Sequence, residues 1–359
     1  MRFSIAYMSK LIGGASLIAL LILVPLCWFF YQAYLEKPLD ITDEGLIFNV
    51  PENSNLYAVS SELALSGYLK YPRILVLHAR WNEQTDIKAG EYHFEAGMTP
   101  VAILEQLNRG SVIQHPVTII EGWRLSEILD ALQANPQVDS HLTGKSNQEI
   151  AQLLELDVSS LEGWFYPDTY IFPRGTTDIE ILKQAYSRMN EVLDEEWSDK
   201  DKDLPFDTPY EALILASLIE KETGVAHERS EIAGVFVRRL QKGMRLQTDP
   251  TVIYGLGSEF DGNLTRAHLL EGTPYNTYRI NGLPPTPIAA PGRDAIRAAV
   301  NPAEGNALYF VGRGDGAHQF SATLEEHNAA VRKYQIEQRA PDYRSSVNPA
   351  SSGAPETAQ

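Results

Sequence analysis

The stretch LASLIEKETG (Leu215–Gly224) is a run of small and apolar residues with a carboxylate, Glu220, set among them. Its spacing belongs to a helix predicted over Pro209–Glu222, with Gly224 suited to end it. At about 100° per residue, Leu213, Ala216 and Ser217 fall on the same side as Glu220. Glu211 and Glu222 fall almost opposite and are expected to be the solvated acids, with Lys221 on a flank. Glu220 therefore points where the helix is apolar, and Ala216 and Ser217 leave room beside it. Burial disfavours the charged carboxylate, and so does the negative end of the helix dipole. A carboxylic acid kept protonated near neutral pH is what a general acid needs. The competing reading is a buried Glu paired with a cation, and Arg238, Arg239 and Arg245 are available downstream.

Glycoside hydrolysis uses two carboxyl groups, roughly 5 Å apart when retaining and about 6.5–9.5 Å apart when inverting. Asp249, in QTDPTVIYG (Gln247–Gly255), is the best second candidate, and Asp168 is another. Asp249-Pro250 also reads simply as a turn or a helix start at Thr251.

Upstream, the chain alternates strands and short helices. Leu46–Val50 reads as a strand, and Ser54 is placed to cap a helix through Leu56, Val59, Leu63 and Ala64 that ends near Gly67. IKAGEYHF (Ile87–Phe94) is a Gly turn and a strand. Thr99 caps a helix with Pro100 at its first position, Val101, Leu104 and Leu107 on its core face and Gly110 at its end. Pro116–Ile120 reads as a strand and Leu125–Leu132 as a helix, with a longer helix at Asp178–Trp197. Glu-Gly-Trp occurs at 121–123 and again at 162–164, with different flanks, so it is a local echo and not a repeat. NTYRINGLPPTPIAAPG (Asn276–Gly292) is a long Gly/Pro-rich loop, and loops of this kind are often functional.

Leu11–Tyr31 carries no charge over 21 positions, and about 20 apolar residues suffice to cross a bilayer. Arg2 and Lys10 precede this span, which puts the N-terminus in the cytoplasm and the rest outside it. The only cysteine, Cys27, lies inside the span, so no internal disulfide is available. A net charge of −17 argues against a nucleic-acid binder. No His/Cys pattern has metal-ligand spacing, and no phosphate loop or nucleophile elbow occurs, so no metal or cofactor is expected. The organisation expected is an anchor at 1–35, a small α+β subdomain at 36–115, a catalytic domain at 116–340 and a disordered tail at 341–359.

Six blocks in order resemble the YceG-like family of endolytic peptidoglycan transglycosylases: EGWRLSEI (Glu121–Ile128), LEGWFYPDTYIFPRGT (Leu161–Thr176), ASLIEKET (Ala216–Thr223), AGVFVRRLQKGMRLQTDPTVIYGLG (Ala233–Gly257), YNTYRINGLPPTPIAAPG (Tyr275–Gly292) and HQFSATLEEHN (His318–Asn328). The resemblance covers roughly residues 45–335. It implies an α+β protein with a LysM-like subdomain ahead of a mixed α/β catalytic domain, whose Gly/Pro-rich loop flanks the cleft. It implies that Glu220 is the catalytic acid, which the helical wheel had singled out independently. Where the family more often has Ile-Ala-Asn-Pro-Gly, this chain has Ile288-Ala289-Ala290-Pro291-Gly292, which removes a side-chain amide at position 290.

A lytic transglycosylase needs no second carboxylate. Under the resemblance, Glu220 protonates the oxygen between N-acetylmuramic acid and N-acetylglucosamine. It then takes a proton from the muramyl C6 hydroxyl, which closes a 1,6-anhydro ring. Expected sugar contacts are Ser217, Gln247, Thr248, Asp249, Asn276, Thr277, Tyr278 and Tyr166, with Tyr170 and His318 also placed as polar or stacking candidates. Trp164 and Phe165 are expected in the core. Glycan strands are the implied substrate, the inner membrane the implied location, and peptidoglycan synthases the implied partners. A hydrolytic muramidase and a non-catalytic peptidoglycan-binding scaffold are the alternatives.

Overall fold

The structure is a computed structural model that describes residues 5–337, with side chains from residue 16. The expected tail at 341–359, and Arg2 ahead of the span, lie outside the described residues. The chain divides into two compact units, residues 1–115 with 173–175, and residues 116–172 with 176–359.

The first unit begins with helix α1 (Ile5–Leu35). Its segment Ser16–Leu35 is long and apolar enough to cross a membrane. Strand β1 (Leu46–Val50), helices α2 (Leu56–Leu65) and α3 (Pro72–Trp81), strand β2 (Gly90–Phe94) and helix α4 (Pro100–Arg109) follow. β1 and β2 pair antiparallel, Leu46 opposite Phe94. Phe48, Tyr92 and Phe94 stack on one sheet face, over Val59, Leu63, Leu75, Leu104 and Leu107. A fully buried side chain of this size contributes about 1.5–3 kcal/mol.

Local signals explain most of these boundaries. Thr99 accepts from Ala102 N–H to cap α4, and Gly110 ends the helix at φ +71°, a left-handed conformation that favours glycine. The cap of α2 is Asn55 and not Ser54, its Oδ1 accepting from Ala58 N–H at 2.9 Å. Helix α3 was not read in the sequence. It starts at Pro72, and buries only Leu75, Val76 and Ala79.

The second unit carries β3 (Gln114–Thr118), two residues earlier than expected because Pro116 sits within the strand and does not open it. Then come α5 (Leu125–Ala134), α6 (Asn147–Leu154), β4 (Thr169–Pro173), α7 (Asp178–Ser198), α8 (Pro209–Glu222), α9 (Arg229–Gln241), α10 (Asp249–Leu256), α11 (Arg266–Leu270), α12 (Arg293–Val300), β5 (Tyr309–Gly312), β6 (His318–Ser321) and α13 (Leu324–Val331). β3 and β4 form one two-stranded sheet; β5 and β6 form another, antiparallel. Helices dominate this unit, so the expected mixed α/β domain is better described as a helical core with two small sheets. The core wraps α8, which packs against α7, α9, α10 and α12. Residues 212–220 of α8 are buried without a break, as an apolar helix enclosed on all sides must be.

Candidate active site

Thr208 and Glu211 start α8 with a reciprocal capping box, and Pro209 occupies its first turn. Glu211 is thereby tied to the helix start. The helix ends at Glu222 as expected, with Thr223 as its cap and Gly224 just beyond. Glu220 sits in its last turn and is only 4% exposed.

Two loops build the surroundings of Glu220. Gly122 N–H donates to Ala290 O at 2.8 Å, and Ala290 N–H donates to Trp123 O at 2.7 Å. This reciprocal pair clamps the first Glu-Gly-Trp turn onto the Ala-Ala-Pro-Gly segment. Gly292 N–H then donates to Glu220 Oε2 at 3.0 Å. A Cβ on Gly292 would overlap the carboxylate of Glu121 and push it aside, so glycine here lets that carboxylate approach closely and is not required for its backbone angles. Lys221 Nζ donates to Gly122 O at 3.0 Å from the other side. Ala290 is fully buried, so position 290 belongs to the core.

The second Glu-Gly-Trp turn packs against the same long loop. Gly163, at φ +81°, lies against Pro287 with no space for a Cβ. Glu162 accepts from Leu125 N–H at 2.9 Å and from Tyr254 O–H at 3.0 Å. The echo in sequence thus marks two glycine turns that both brace residues 287–292.

The cation beside Glu220 is Arg229, at the start of α9, and none of the three arginines expected. Its Nη2 lies 3.5 Å from Glu220 Oε1 and 3.8 Å from Glu121 Oε2. Arg238, Arg239 and Arg245 instead donate to backbone carbonyls. Among the described residues, Glu220 Oε1 accepts no hydrogen bond. Burial pushes the Glu220 pKa up, and the nearby Glu121 charge adds to the rise; Gly292 N–H and Arg229 oppose it. Glu121 has 45% of its side chain exposed, against 10% for Arg229. It is the member of this group that meets solvent. Glu121 and Arg229 were missed as site residues. The sequence holds Glu121 inside the first block, but nothing in its spacing links it to Glu220.

A cavity of about 840 Å³ adjoins the end of α8. Lys221, Glu222, Gln247, Asp249, Tyr278 and His318 line it; Glu220 does not. Glu222 is not the solvated acid expected. It accepts a hydrogen bond from the Thr248 hydroxyl, and burial with the neighbouring Asp249 charge pushes its pKa up to about 7. Asp249 accepts from Tyr278 O–H at 2.6 Å. On β6, His318 N–H donates to Glu228 Oε1, and its Nδ1 shares a bond with Glu228 Oε2, both at 2.8 Å.

Of the expected sugar contacts, the structure brings Gln247, Asp249 and Tyr278 to this cavity. Ser217 is fully buried; its hydroxyl donates to Ile214 O and accepts from Ile288 N–H, so it anchors the long loop. Thr248 and Thr277 bond each other across two segments, Thr248 N–H donating to Thr277 Oγ1 at 3.0 Å. Asn276, also fully buried, donates to the carbonyls of His268, Leu269 and Glu271 at the end of α11. These four residues support walls and do not face open space. Tyr166 lies elsewhere, its ring under Arg188, with Tyr170 O–H donating to its carbonyl. Phe165 is fully buried and Trp164 packs against the core around α8. Asp168 lines a separate small pocket with Tyr170, Arg188 and Glu191.

The chain is similar to known proteins over most of its length. A Bacillus subtilis protein named endolytic murein transglycosylase is 31% identical over 325 residues, which span 85% of this chain and 89% of that protein. A Streptococcus pneumoniae protein of the same name is 30% identical over 86% of this chain and 62% of its own length. A solved structure of a yceG-like protein from Listeria monocytogenes superposes with a TM-score of 0.52 at 29% identity, covering 80% of this chain and 99% of that one. The model of the YceG-like family matches residues 48–333, so the chain belongs to the YceG-like family.

Proposed function

We propose that this protein is a membrane-anchored lytic transglycosylase that cuts nascent peptidoglycan strands between N-acetylmuramic acid and N-acetylglucosamine. The observation that carries the reading is Glu220: a buried carboxyl group with a raised pKa, held by Gly292 N–H and set beside Arg229 and Glu121. The names of the relatives support the substrate and the reaction class.

In this reading the protonated Glu220 gives its proton to the bridging oxygen as the C1–O bond breaks. The N-acetylglucosamine part leaves with a new hydroxyl. The Glu220 carboxylate, now charged, is stabilised by Gly292 N–H and the Arg229 guanidinium. It next takes the proton from the muramyl C6 hydroxyl, whose oxygen attacks C1 and closes the anhydro ring. The nucleophile is part of the substrate, which gives it a high effective concentration. Glu220 ends protonated, ready for another cycle. Glu121, half exposed, marks the side from which the strand approaches. Gln247, Asp249 and Tyr278 bind sugars further along.

Residues 36–115, with β1, α2, α3, β2 and α4, form the LysM-like subdomain of this reading. Helix α1 is a single-pass anchor with its N-terminus in the cytoplasm. That arrangement puts the catalytic unit outside the inner membrane, near the synthases that make its substrate. A hydrolytic muramidase is the second reading, and Glu121 supplies a second carboxyl group for it, on the same Arg229 guanidinium as Glu220.

The test is product analysis. Full-length protein in detergent is incubated with peptidoglycan, beside Glu220→Gln, and the fragments are weighed by mass spectrometry. Muramyl ends lighter by one water, absent with the variant, are expected. Ordinary reducing ends would establish the hydrolase. No fragments, from peptidoglycan that an unrelated muramidase digests, would leave a binding scaffold.

A further inference from the structure

We propose that the exposed face of α3 rests on the membrane surface, with Leu77 and Trp81 inserted among lipids beside the outer end of α1. The inference builds on the reading of α1 as a membrane span.

Helix α3 has two opposed faces. Leu75, Val76 and Ala79 are buried in the core of the first unit. About 180° away lie Leu77 and Trp81, with Arg73 and Arg80 to one side of them, all exposed. Leu77 is 53% exposed and Trp81 is 69% exposed. Single exposed apolar residues are ordinary on a soluble surface. What sets this pair apart is its position against α1. The Tyr31 hydroxyl shares a 2.8 Å hydrogen bond with His78 Nδ1, and the Tyr31 ring meets Trp81 edge-on at 6.4 Å. Tyr34 O–H donates to Tyr71 O at 3.1 Å, and the two rings touch.

The depth of this junction follows from helix geometry. The uncharged span Leu11–Tyr31 has 21 residues, a length of about 32 Å as a helix, close to the hydrocarbon thickness. Tyr31 closes it, at the level where Tyr and Trp collect in membrane proteins. Leu35 is 1% exposed, packed in the core of the first unit. The helix therefore enters this unit without a break and fixes how the unit meets the bilayer. His78 and Trp81, in contact with Tyr31, share its depth. Leu77, four residues before Trp81, lies on the same face. Arg73 and Arg80 lie beside the pair, on one side of it, and can hold lipid phosphates, as on an interfacial helix.

The test uses full-length protein reconstituted in phosphatidylethanolamine–phosphatidylglycerol vesicles. With the sole cysteine changed (Cys27→Ser), a nitrobenzoxadiazole label is attached at Leu77→Cys or at Trp81→Cys, and separately at Phe29→Cys within α1. At 77 and 81 we expect blue-shifted emission, quenching by a nitroxide on the upper acyl chain, and loss of quenching by aqueous iodide. Iodide quenching at 77 and 81, with the label at 29 still in lipid, would overturn this proposal and leave the anchor intact. Shielding at 77 and 81 from both quenchers would overturn it in favour of a protein partner or a second copy on this face. Iodide quenching at 29 as well would overturn the anchor reading, and this proposal with it.

Discussion

At the residue scale, the acid at the centre is set by its neighbours. Glu121 is one of the two causes that raise the Glu220 pKa. Glu121→Gln removes that charge, so the Glu220 pKa should fall. Activity that needs the protonated form should then be lost at lower pH than in the wild type, and a pH–rate profile of strand cleavage reads this directly. An unmoved alkaline limb would mean that burial alone sets the value. Gly292→Ala should act in the same direction. Its Cβ displaces the end of a flexible side chain, so the stability cost should stay near 1 kcal/mol or below. Combined with Glu121→Gln, it should shift the profile no further, because both changes remove the same carboxylate. Glu220→Gln should reduce cleavage by roughly 10²-fold or more, the usual worth of general acid–base catalysis, while thermal melting is unchanged or raised. The wheel geometry of Glu220 was legible in the sequence because it depends on local spacing. Arg229 and Glu121 were not, since they arrive from another helix and from a turn about a hundred positions away. The same limit explains Glu222. Its solvated face was inferred from its own helix, and the segment carrying Thr248 and Asp249 covers that face.

At the element scale, the caps tell which boundaries a sequence can carry. The starts of α4, α7 and α8 follow from a threonine whose side chain accepts a backbone N–H three residues on. These bonds are local, and the boundaries were expected to within a residue or two. Helix α3 has no side-chain cap and buries three residues, so it left a faint signal. Asn276 shows a tertiary role that composition cannot reveal. It was expected to touch sugar, yet its amide serves three carbonyls at the end of α11, and its Oδ1 accepts from Tyr278 N–H at 3.0 Å. Asn276→Ala leaves those buried groups unpaired. We expect a loss of about 1–3 kcal/mol, read by urea denaturation, and faster proteolysis between residues 262 and 275. Asn276→Asp should rescue little, because a carboxylate cannot donate. Full stability in Asn276→Ala would mean that the carbonyls find other donors and that α11 holds itself.

At the scale of the whole molecule, the second unit carries a titratable burden in its cavity wall. Glu222 has a folded pKa of about 7 against an ordinary value of 4.5. The folded chain therefore holds this proton more tightly than the unfolded chain. Where the folded state binds more protons, stability falls as pH rises. The contribution is favourable below about pH 4.5, declines up to about pH 7, and is fully lost above that. Glu222→Gln keeps an acceptor for the Thr248 hydroxyl but cannot ionise. Between pH 5 and pH 8 the variant should gain on the wild type by about 2 kcal/mol, after allowance for the partial exposure of Glu222. For a unit of this size that is roughly 4–8 °C in Tm. Burial raises Glu162 and Glu220 too, but these are present in both proteins and cancel in the comparison. Parallel melting curves at the two pH values would show that Glu222 ionises as freely in the cavity as in the unfolded chain. A widening gap would show that the cavity gains a negative charge across the physiological range. The wall that holds Asp249 and Tyr278 would then present a different field to a glycan at pH 6 than at pH 8. The change would come from a group two residues from Glu220, on the same helix, facing the other way.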